Sequence, residues 1–133
     1  QLKLEIEVTN TGKRRGSEVV QCYVAPVNPR LFRPERELRA FEKVVLDPGE
    51  TALVEILLSD RAFAYWDPAD AGYEELSARG SAVVPAGAGA AHRPADGWYI
   101  DAGPHEILVG RSSEDTPHRV RIEIIEEAGP LDP

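Results

Sequence analysis

Several features that often reveal a function are scarce in this chain of 133 residues. Cys22 is the single cysteine, which excludes an internal disulfide, and the three histidines do not stand at the close spacing that zinc sites use. No run approaches the ~18 apolar residues of a membrane-spanning helix, and the N-terminus lacks the order of a signal peptide. Fifteen basic residues against 23 acidic ones give a net charge of −8, which argues against nucleic acid as a partner. We therefore expect no cofactor, no metal, no nucleic-acid partner and no membrane partner, and the compartment stays open.

The chain also has no methionine, and it opens directly inside an alternating run of apolar residues, Leu2, Leu4, Ile6 and Val8. We expect it to be part of a longer polypeptide. Its length and its 42% hydrophobic content suit one compact domain that buries a core without a disulfide or a metal. We place that domain at residues 1–127 and a C-terminal tail at 128–133.

Short runs with the patterns of β-strands fill most of the chain. Residues 2–9 alternate between apolar and charged side chains, which is the period of a strand with one buried face. In the next run we expect Val20, Cys22 and Val24 to face the core, where burial raises the pKa of a thiol. The turn residues 47–50 predict a hairpin-like reversal. Strands are predicted at 2–9, 18–24, 38–46, 51–58, 62–66, 98–100, 105–109 and 120–125.

The composition changes between Ser77 and Gly97, where seven alanines and four glycines occur. Such a segment has few side chains that could offset the cost of ordering its backbone. We therefore predict a flexible surface insertion over 77–97. A short helix is compatible with residues 70–78, in which Tyr73 and Leu76 would share one side.

About seven short strands separated by turns, with no long helical pattern, predict an all-β fold of the immunoglobulin or fibronectin type III-like β-sandwich class. A single cysteine leaves no partner for the disulfide of antibody domains. The fibronectin-like variant of the sandwich is therefore the closer match.

Several segments are more specific when they are taken together. They are Val8–Gly12, Gly16–Val24, Arg33-Pro34, Glu37-Leu38, Phe41–Val44, Leu46–Glu50, Phe63–Asp67, Trp98, Gly103, Val109–Ser113 and Asp115. In this order, over nearly all of residues 4–125, they resemble the fibronectin type III-like domain that ends many glycoside hydrolase family 3 enzymes, β-glucosidases among them. Two features depart from the family. His105 replaces a usual tyrosine, which puts the expected phenol-to-backbone hydrogen bond in doubt, and the connection from Asp67 to Trp98 is longer.

The resemblance implies that the catalytic aspartate and glutamate lie in upstream domains that this chain does not contain. The chain would then be a non-catalytic accessory domain that packs against the catalytic domains of the same parent chain, and shapes the access of substrate or contacts a second subunit. Acidic pairs such as Asp67 with Asp70 are interpreted as solvated surface, so no catalytic residue is assigned. The alternative interpretation is an independent carbohydrate-binding β-sandwich module.

The proline-containing loop before the third strand offers a candidate docking surface. Its arginines recur at every third residue, and a polyproline II segment with three residues per turn would align them along one edge. Guanidinium groups suit docking because they pair bidentately with carboxylates and stack on aromatic rings. The alternative is a solvated edge that serves solubility. The candidate docking residues are Arg30, Leu31, Phe32, Arg33, Arg36 and Arg39.

Aromatic residues flank the predicted insertion on both sides. They are Tyr65, Trp66, Trp98 and Tyr99. Flat rings with polar edges can hold a sugar, so weak carbohydrate contact is one interpretation. In the other, Trp66 and Trp98 pack on each other and close one end of the sandwich.

Overall fold

The computed structural model describes residues 1–68, 93 and 95–132, and apart from one short 3-10 turn at Asp60–Phe63 all regular structure in these ranges is β-strand. The predicted all-β sandwich is confirmed. The strands are β1 (Leu2–Thr9), β2 (Gly16–Pro26), β3 (Glu37–Leu46), β4 (Thr51–Leu58), β5 (Tyr65–Asp67), β6 (Gly97–Ile100), β7 (Gly103–Gly110), β8 (His118–Ile124) and β9 (Ala128–Leu131). They form sheets with the orders β3-β2-β7-β8, β1-β4 and β5-β6-β9.

The core lies between the four-stranded sheet and the β1–β4 pair. Val20, Cys22 and Val24 of β2 face it as predicted, opposite Ile56 and Leu58 of β4. Alternate residues of each strand point inward because side chains alternate between the two faces of a sheet. Cys22 is fully buried, and this burial raises the pKa of its thiol to about 11. The thiol therefore acts as a small apolar group, as the strand pattern predicts.

The turn predicted at 47–50 is present, but it does not make a hairpin. The Glu50 N–H donates to the Asp47 carbonyl oxygen at 3.0 Å, and Gly49 adopts a φ of +78°, which favours glycine. However, β3 pairs with β2, whereas β4 pairs with β1 in the facing sheet. Both strands direct apolar side chains into the core. Because β3 and β4 lie in facing sheets, these side chains enclose the core from opposite sides.

Part of the predicted tail belongs to a sheet. Residues 128–133 include β9, which pairs with β6 so that Leu131 lies opposite Trp98. Leu131 also packs against the main core, because it is a large apolar residue within reach of Ile100. Residues 128–131 of the predicted tail are therefore a paired strand.

Two predictions lie outside the described residues. These are the helix over 70–78 and most of the insertion over 77–97, from which Arg93 and residues 95–97 are described. Within the described ranges, no helix has the length and apolar character needed to cross a membrane.

Candidate docking and aromatic surfaces

The first two arginines of the proline-containing loop turn toward the domain itself. Arg30 forms an ion pair with the buried carboxylate of Asp67, and its Nη2 donates to the Tyr65 hydroxyl oxygen at 3.1 Å. Arg33 is only 8% exposed, and its guanidinium carbon lies 4.6 Å from the centre of the Tyr65 ring. Both side chains therefore hold the loop against β5.

The other two arginines reach different parts of the fold. Arg36 Nη1 donates to the Ser113 carbonyl oxygen at 2.8 Å in the β7–β8 loop. Arg39 Nη2 donates to Glu37 Oε2 at 2.7 Å and to the Ala64 carbonyl oxygen at 3.1 Å. The four guanidinium groups therefore do not form the exposed strip that their spacing predicts, because each one contacts partners within the domain.

Tyr65 is the centre of a polar network at this end of the sandwich. Its hydroxyl donates to Asp101 Oδ1 at 2.8 Å, and Arg93 Nη2 donates to the same oxygen at 2.6 Å. Burial raises the pKa of Tyr65, so the phenol keeps its proton as a donor. Tyr99 is also buried, lies under the Arg93 guanidinium and donates to the Ala95 carbonyl oxygen. Two of the four candidate aromatics thus serve the interior.

Trp66 and Trp98 form the exposed half of the aromatic set. They are direct neighbours across β5 and β6, and their rings pack edge to face with centroids 5.8 Å apart. This is the mutual packing that one of the two interpretations predicts. Trp66 is 50% exposed and Trp98 is 39% exposed, so each ring also presents area to solvent.

Large apolar side chains stand in solvent on the loop and on β3. Phe32 is 77% exposed, Phe41 63% and Leu38 49%, whereas Leu31 is partly buried. Leu38 and Phe41 also line a groove of about 500 Å³ between the edge strands β3 and β4. Sequence analysis included Phe32 but missed Leu38 and Phe41. The β-bulge between Cys22 and Tyr23 changes the pairing of β3, so simple alternation could not assign their faces.

Comparisons with known proteins assign the chain to a family. The family model of the fibronectin type III-like domain matches residues 18–113. The chain belongs to this family. The resemblance inferred from sequence to the domain of glycoside hydrolase family 3 enzymes is also confirmed by relatives and by solved structures.

Two relatives and one solved structure illustrate these matches. The thermostable beta-glucosidase B of Acetivibrio thermocellus is 35% identical over 114 residues, which cover 86% of this chain and 12% of that protein. An exo-alpha-(1->6)-L-arabinopyranosidase of Bifidobacterium breve is 35% identical over 115 residues, again 86% of this chain and 12% of that protein. The crystal structure of a GH3 beta-glucosidase from Bifidobacterium adolescentis superposes with a TM-score of 0.70 and 32% identity, covering 98% of this chain and 16% of that one. The chain thus spans about an eighth of the length of these curated relatives.

His105, which the family resemblance marks as a departure, lies in the interior of the domain. It is 3% exposed, its ring packs edge to face on Phe63, and Nδ1 lies 3.2 Å from the Gly103 carbonyl oxygen. Burial lowers the pKa of His105, and the nearby Arg33 charge lowers it further. The imidazole is therefore a neutral, structural group that bonds to the backbone two residues away.

The carboxylates at this end face arginines, and Asp67 is only 2% exposed, so its interpretation as solvated surface is wrong. Asp67 is held by Arg30, and Asp101 accepts from Tyr65 and Arg93. Asp70, the proposed neighbour of Asp67, lies outside the described residues. Within the described ranges, no group of three His, Cys, Asp or Glu side chains could hold a metal ion.

Proposed function

We propose that this domain is a non-catalytic accessory domain of a β-glucosidase-like enzyme of glycoside hydrolase family 3. In that enzyme it packs against the catalytic domains, and from there it shapes the access of substrate or contacts a second subunit. A β-glucosidase and an exo-α-(1→6)-L-arabinopyranosidase both contain a segment similar to this chain. Since those names differ in the sugar, the shared segment is better suited to a supporting role than to sugar selection.

The observation that carries the proposal is a set of three exposed apolar side chains, with Leu38 and Phe41 beside the β3–β4 groove and Phe32 on the loop before β3. Three large apolar side chains in solvent are typical of a surface that a partner covers. The relatives supply such a partner, because about seven eighths of each lies outside the matching segment. The groove beside Leu38 and Phe41 is bordered by Arg39, Glu42 and Glu55, which gives it the polar rim that interfaces have.

The arginines contribute to docking by holding Phe32 in place. Arg30 and Arg33 flank Phe32 and are both anchored on Tyr65. A loop fixed in this way loses little conformational entropy when a partner covers the ring, and this strengthens binding. We therefore assign docking contact to Phe32, Leu38 and Phe41, and a positioning role to the arginines.

Phe32→Ala tests the docking surface when it is measured both in the 133-residue chain and in the full-length parent. In the chain alone the free energy of unfolding should change by less than about 0.5 kcal/mol, because an exposed ring contributes little. In the parent the same change should weaken interdomain packing by about 2 to 4 kcal/mol if the ring is a central anchor. Thermal inactivation of the parent and urea unfolding of the chain measure the two effects.

Leu53→Ala is the control, because Leu53 is also an exposed large apolar residue but lies on β4, outside the proposed docking set. It should affect neither protein. Equal destabilisation of chain and parent by Phe32→Ala would place Phe32 in the core and contradict the docking role. No effect in either would show that the loop is only a solvated edge.

The non-catalytic part of the proposal has its own test. The purified 133-residue chain should release no product from aryl glycosides above the rate in buffer. Turnover that disappears when an acidic residue such as Asp101 is replaced by asparagine would contradict an accessory role, because it would place the chemistry inside this domain.

A carbohydrate-binding module is the second candidate, and the exposed pair Trp66 and Trp98 favours it. Indole rings stack on sugars, and both rings keep free area. Soluble glucan added to the chain should then change tryptophan fluorescence, and Trp66→Ala should remove most of that response. An unchanged spectrum would leave mutual packing as the role of the pair.

A further inference from the structure

β1 is an edge strand of the two-stranded sheet that it forms with β4. This strand pairs with β4 in an uninterrupted register from Leu2 opposite Leu58 to Thr9 opposite Thr51. Within residues 1–68, 93 and 95–132, no strand pairs with its other edge. A strand edge carries a row of unpaired N–H and C=O groups, which is a template for another strand. The backbone of β1 can therefore accept one more strand along its eight residues.

The core is incompletely covered on the same side. The inward side chains of β1 remain partly exposed, whereas Ile56 and Leu58 on the neighbouring β4 are at most 2% exposed. The partly exposed residues of β1 are Leu2, Leu4, Ile6 and Val8. These residues alternate as a buried strand requires, so the sheet ends one strand too early to cover them.

The apolar residues at the β8 edge of the facing four-stranded sheet are also incompletely covered. Val120 of β8 is 50% exposed, although Ile107, its neighbour across the β7–β8 ladder, is completely buried. Ile122 and Ile124 follow on the same inward face and are only partly buried. An apolar groove of about 440 Å³ lies at the Leu2 end of β1, where Ile122 and Ile124 of β8 and residues of the 3-10 turn, β6 and β9 also line it. It has room for the inward side chains of a further strand.

The charges on the outer face of β1 indicate which side chains a further strand beside it would carry. Lys3 Nζ lies 2.8 Å from Glu5 and 3.1 Å from Glu55, so its charge is matched within the domain. Glu7 has no ion pair within the described part of the chain. A basic side chain on a neighbouring strand would complement it, since opposite charges across a strand pair are stabilising.

We propose that an extended segment of the parent polypeptide, from outside residues 1–133, adds to the free edge of β1 as a further strand. Its inward residues are apolar and fill the groove beside Ile122 and Ile124, and an outward basic residue lies near Glu7. The inference rests on the proposed function only in requiring that the domain belongs to a longer enzyme. β8 and β3 are opposite edges of the four-stranded sheet, so this surface is separate from the docking surface.

Amide hydrogen exchange of residues 2–9, in the chain alone and in the full-length parent, tests the proposal. In the chain, the edge amides of β1 should exchange rapidly. In the parent they should exchange about 100-fold more slowly, because a further strand bonds them. Residues 103–110 of β7 are the control and should be protected in both, since β7 is paired on both sides. Equal exchange of the β1 edge amides in chain and parent would overturn the proposal.

An engineered extension tests the chemistry of the partner strand. An Asn-Gly turn preceded by alternating valine and lysine residues, fused before Gln1, should slow exchange across residues 2–9 and raise the urea midpoint. The matched control replaces each valine of the extension by serine and should do neither. Equal results for the two extensions would show that the groove does not select apolar residues and would overturn that part of the proposal.

Two further measurements identify other occupants. Slow exchange of the edge amides of β1, those that do not bond to β4, in the chain alone would overturn the proposal. Sedimentation as a dimer would then identify a second copy, and sedimentation as a monomer a segment of this chain. The parent carrying Phe32→Ala separates the two proposals. Loss of interdomain packing in this variant with β1 still protected supports both proposals, whereas intact packing with β1 protected contradicts only the docking surface. Exposure of β1 in the wild-type parent contradicts only the added strand.

Discussion

At one end of the sandwich the connections meet on a neutral side chain, Asn10, whereas at the other end they meet on buried charges around Tyr65. Asn10 Nδ2 donates to the carbonyl oxygens of Arg14 at 2.8 Å and Leu46 at 2.9 Å. Its Oδ1 accepts from the Gly12 N–H at 2.8 Å. Its backbone N–H donates to the Glu50 carbonyl oxygen at 3.0 Å. One amide thus uses both its donors and an acceptor to join the β1–β2 and β3–β4 connections.

The charged end is less completely paired. Arg30, Arg33 and Arg39 converge on Tyr65, Glu37 and Asp67, but their Nε atoms are buried and have no hydrogen-bond partner among the described residues. A buried charge is costly unless its whole hydrogen-bonding capacity is used. We therefore expect the loss of one hydrogen bond at Asn10 to reduce the free energy of unfolding less than the loss of one counter-ion at the charged end.

Asp67→Asn should give the largest effect, because it removes the carboxylate charge beside the largely buried Arg30. Breaking a buried ion pair on one side costs about 3 to 5 kcal/mol, because the remaining charge is left uncompensated. Urea unfolding of the chain measures the loss. Asp60→Asn is the control, since its partner is the exposed N-terminal amine and such pairs contribute about 0 to 1 kcal/mol.

A double variant shows whether the charge or the shape matters at this site. Arg30→Leu combined with Asp67→Asn should recover much of the stability that Asp67→Asn loses, because no unpaired charge remains. If the double variant were as unstable as the sum of the two single changes, packing rather than charge would hold this end. The contrast with Asn10 would then be wrong.

Asn10→Asp should have the next largest effect. A carboxylate cannot donate, so the carbonyl oxygens of Arg14 and Leu46 both lose their bond. We expect a loss of about 2 kcal/mol, within the range for unsatisfied polar groups in a folded protein. Asn28→Asp is the matched control, because Asn28 is exposed and aspartate tolerates its φ of +52°. Equal losses at both positions would mean that added charge, rather than the missing donors, destabilises the chain.

The neutral end could largely be predicted from sequence, because its signals are local. Asn10-Thr11-Gly12 marks a turn, and Asp47–Glu50 marks another. Sequence also predicted β1 and the inward face of β2 correctly, since alternation decides which side of a strand is buried. What it could not predict was that two turns distant in the chain meet on one side chain.

The charged end was poorly predicted because its partners are far apart in the chain. Arg30 meets Asp67, and Arg36 meets Ser113, and no local spacing indicates such pairs. The spacing of the arginines by three instead suggested one exposed strip. β9 was missed for a similar reason, since Ala128–Leu131 is a four-residue segment with a glycine and a proline, and it is a strand only because β6 is there to pair with it.

The smallest expected effect is a dependence on pH that comes from His105 at the charged end. Burial lowers the pKa of His105 and Arg33 lowers it further, whereas the hydrogen bond with the Gly103 carbonyl oxygen and the charges of Asp101 and Glu123 raise it. In the unfolded chain the imidazole has its ordinary pKa of about 6.5. As the pH falls below that value, the unfolded state binds the proton first, so the free energy of unfolding decreases until the pH passes the lower pKa of the folded state.

His105→Phe removes this contribution and keeps a ring that can pack on Phe63. Between pH 7.5 and 5.5, the wild-type chain should therefore lose stability relative to the variant, as urea midpoints at each pH would show. Only the slope with pH is compared, so a constant packing difference cancels. His118→Gln, at an exposed histidine, controls for the loss of any histidine. Parallel pH profiles for wild type and His105→Phe would mean that acid acts elsewhere, and the charged end would then be no more sensitive to protons than the end held by Asn10.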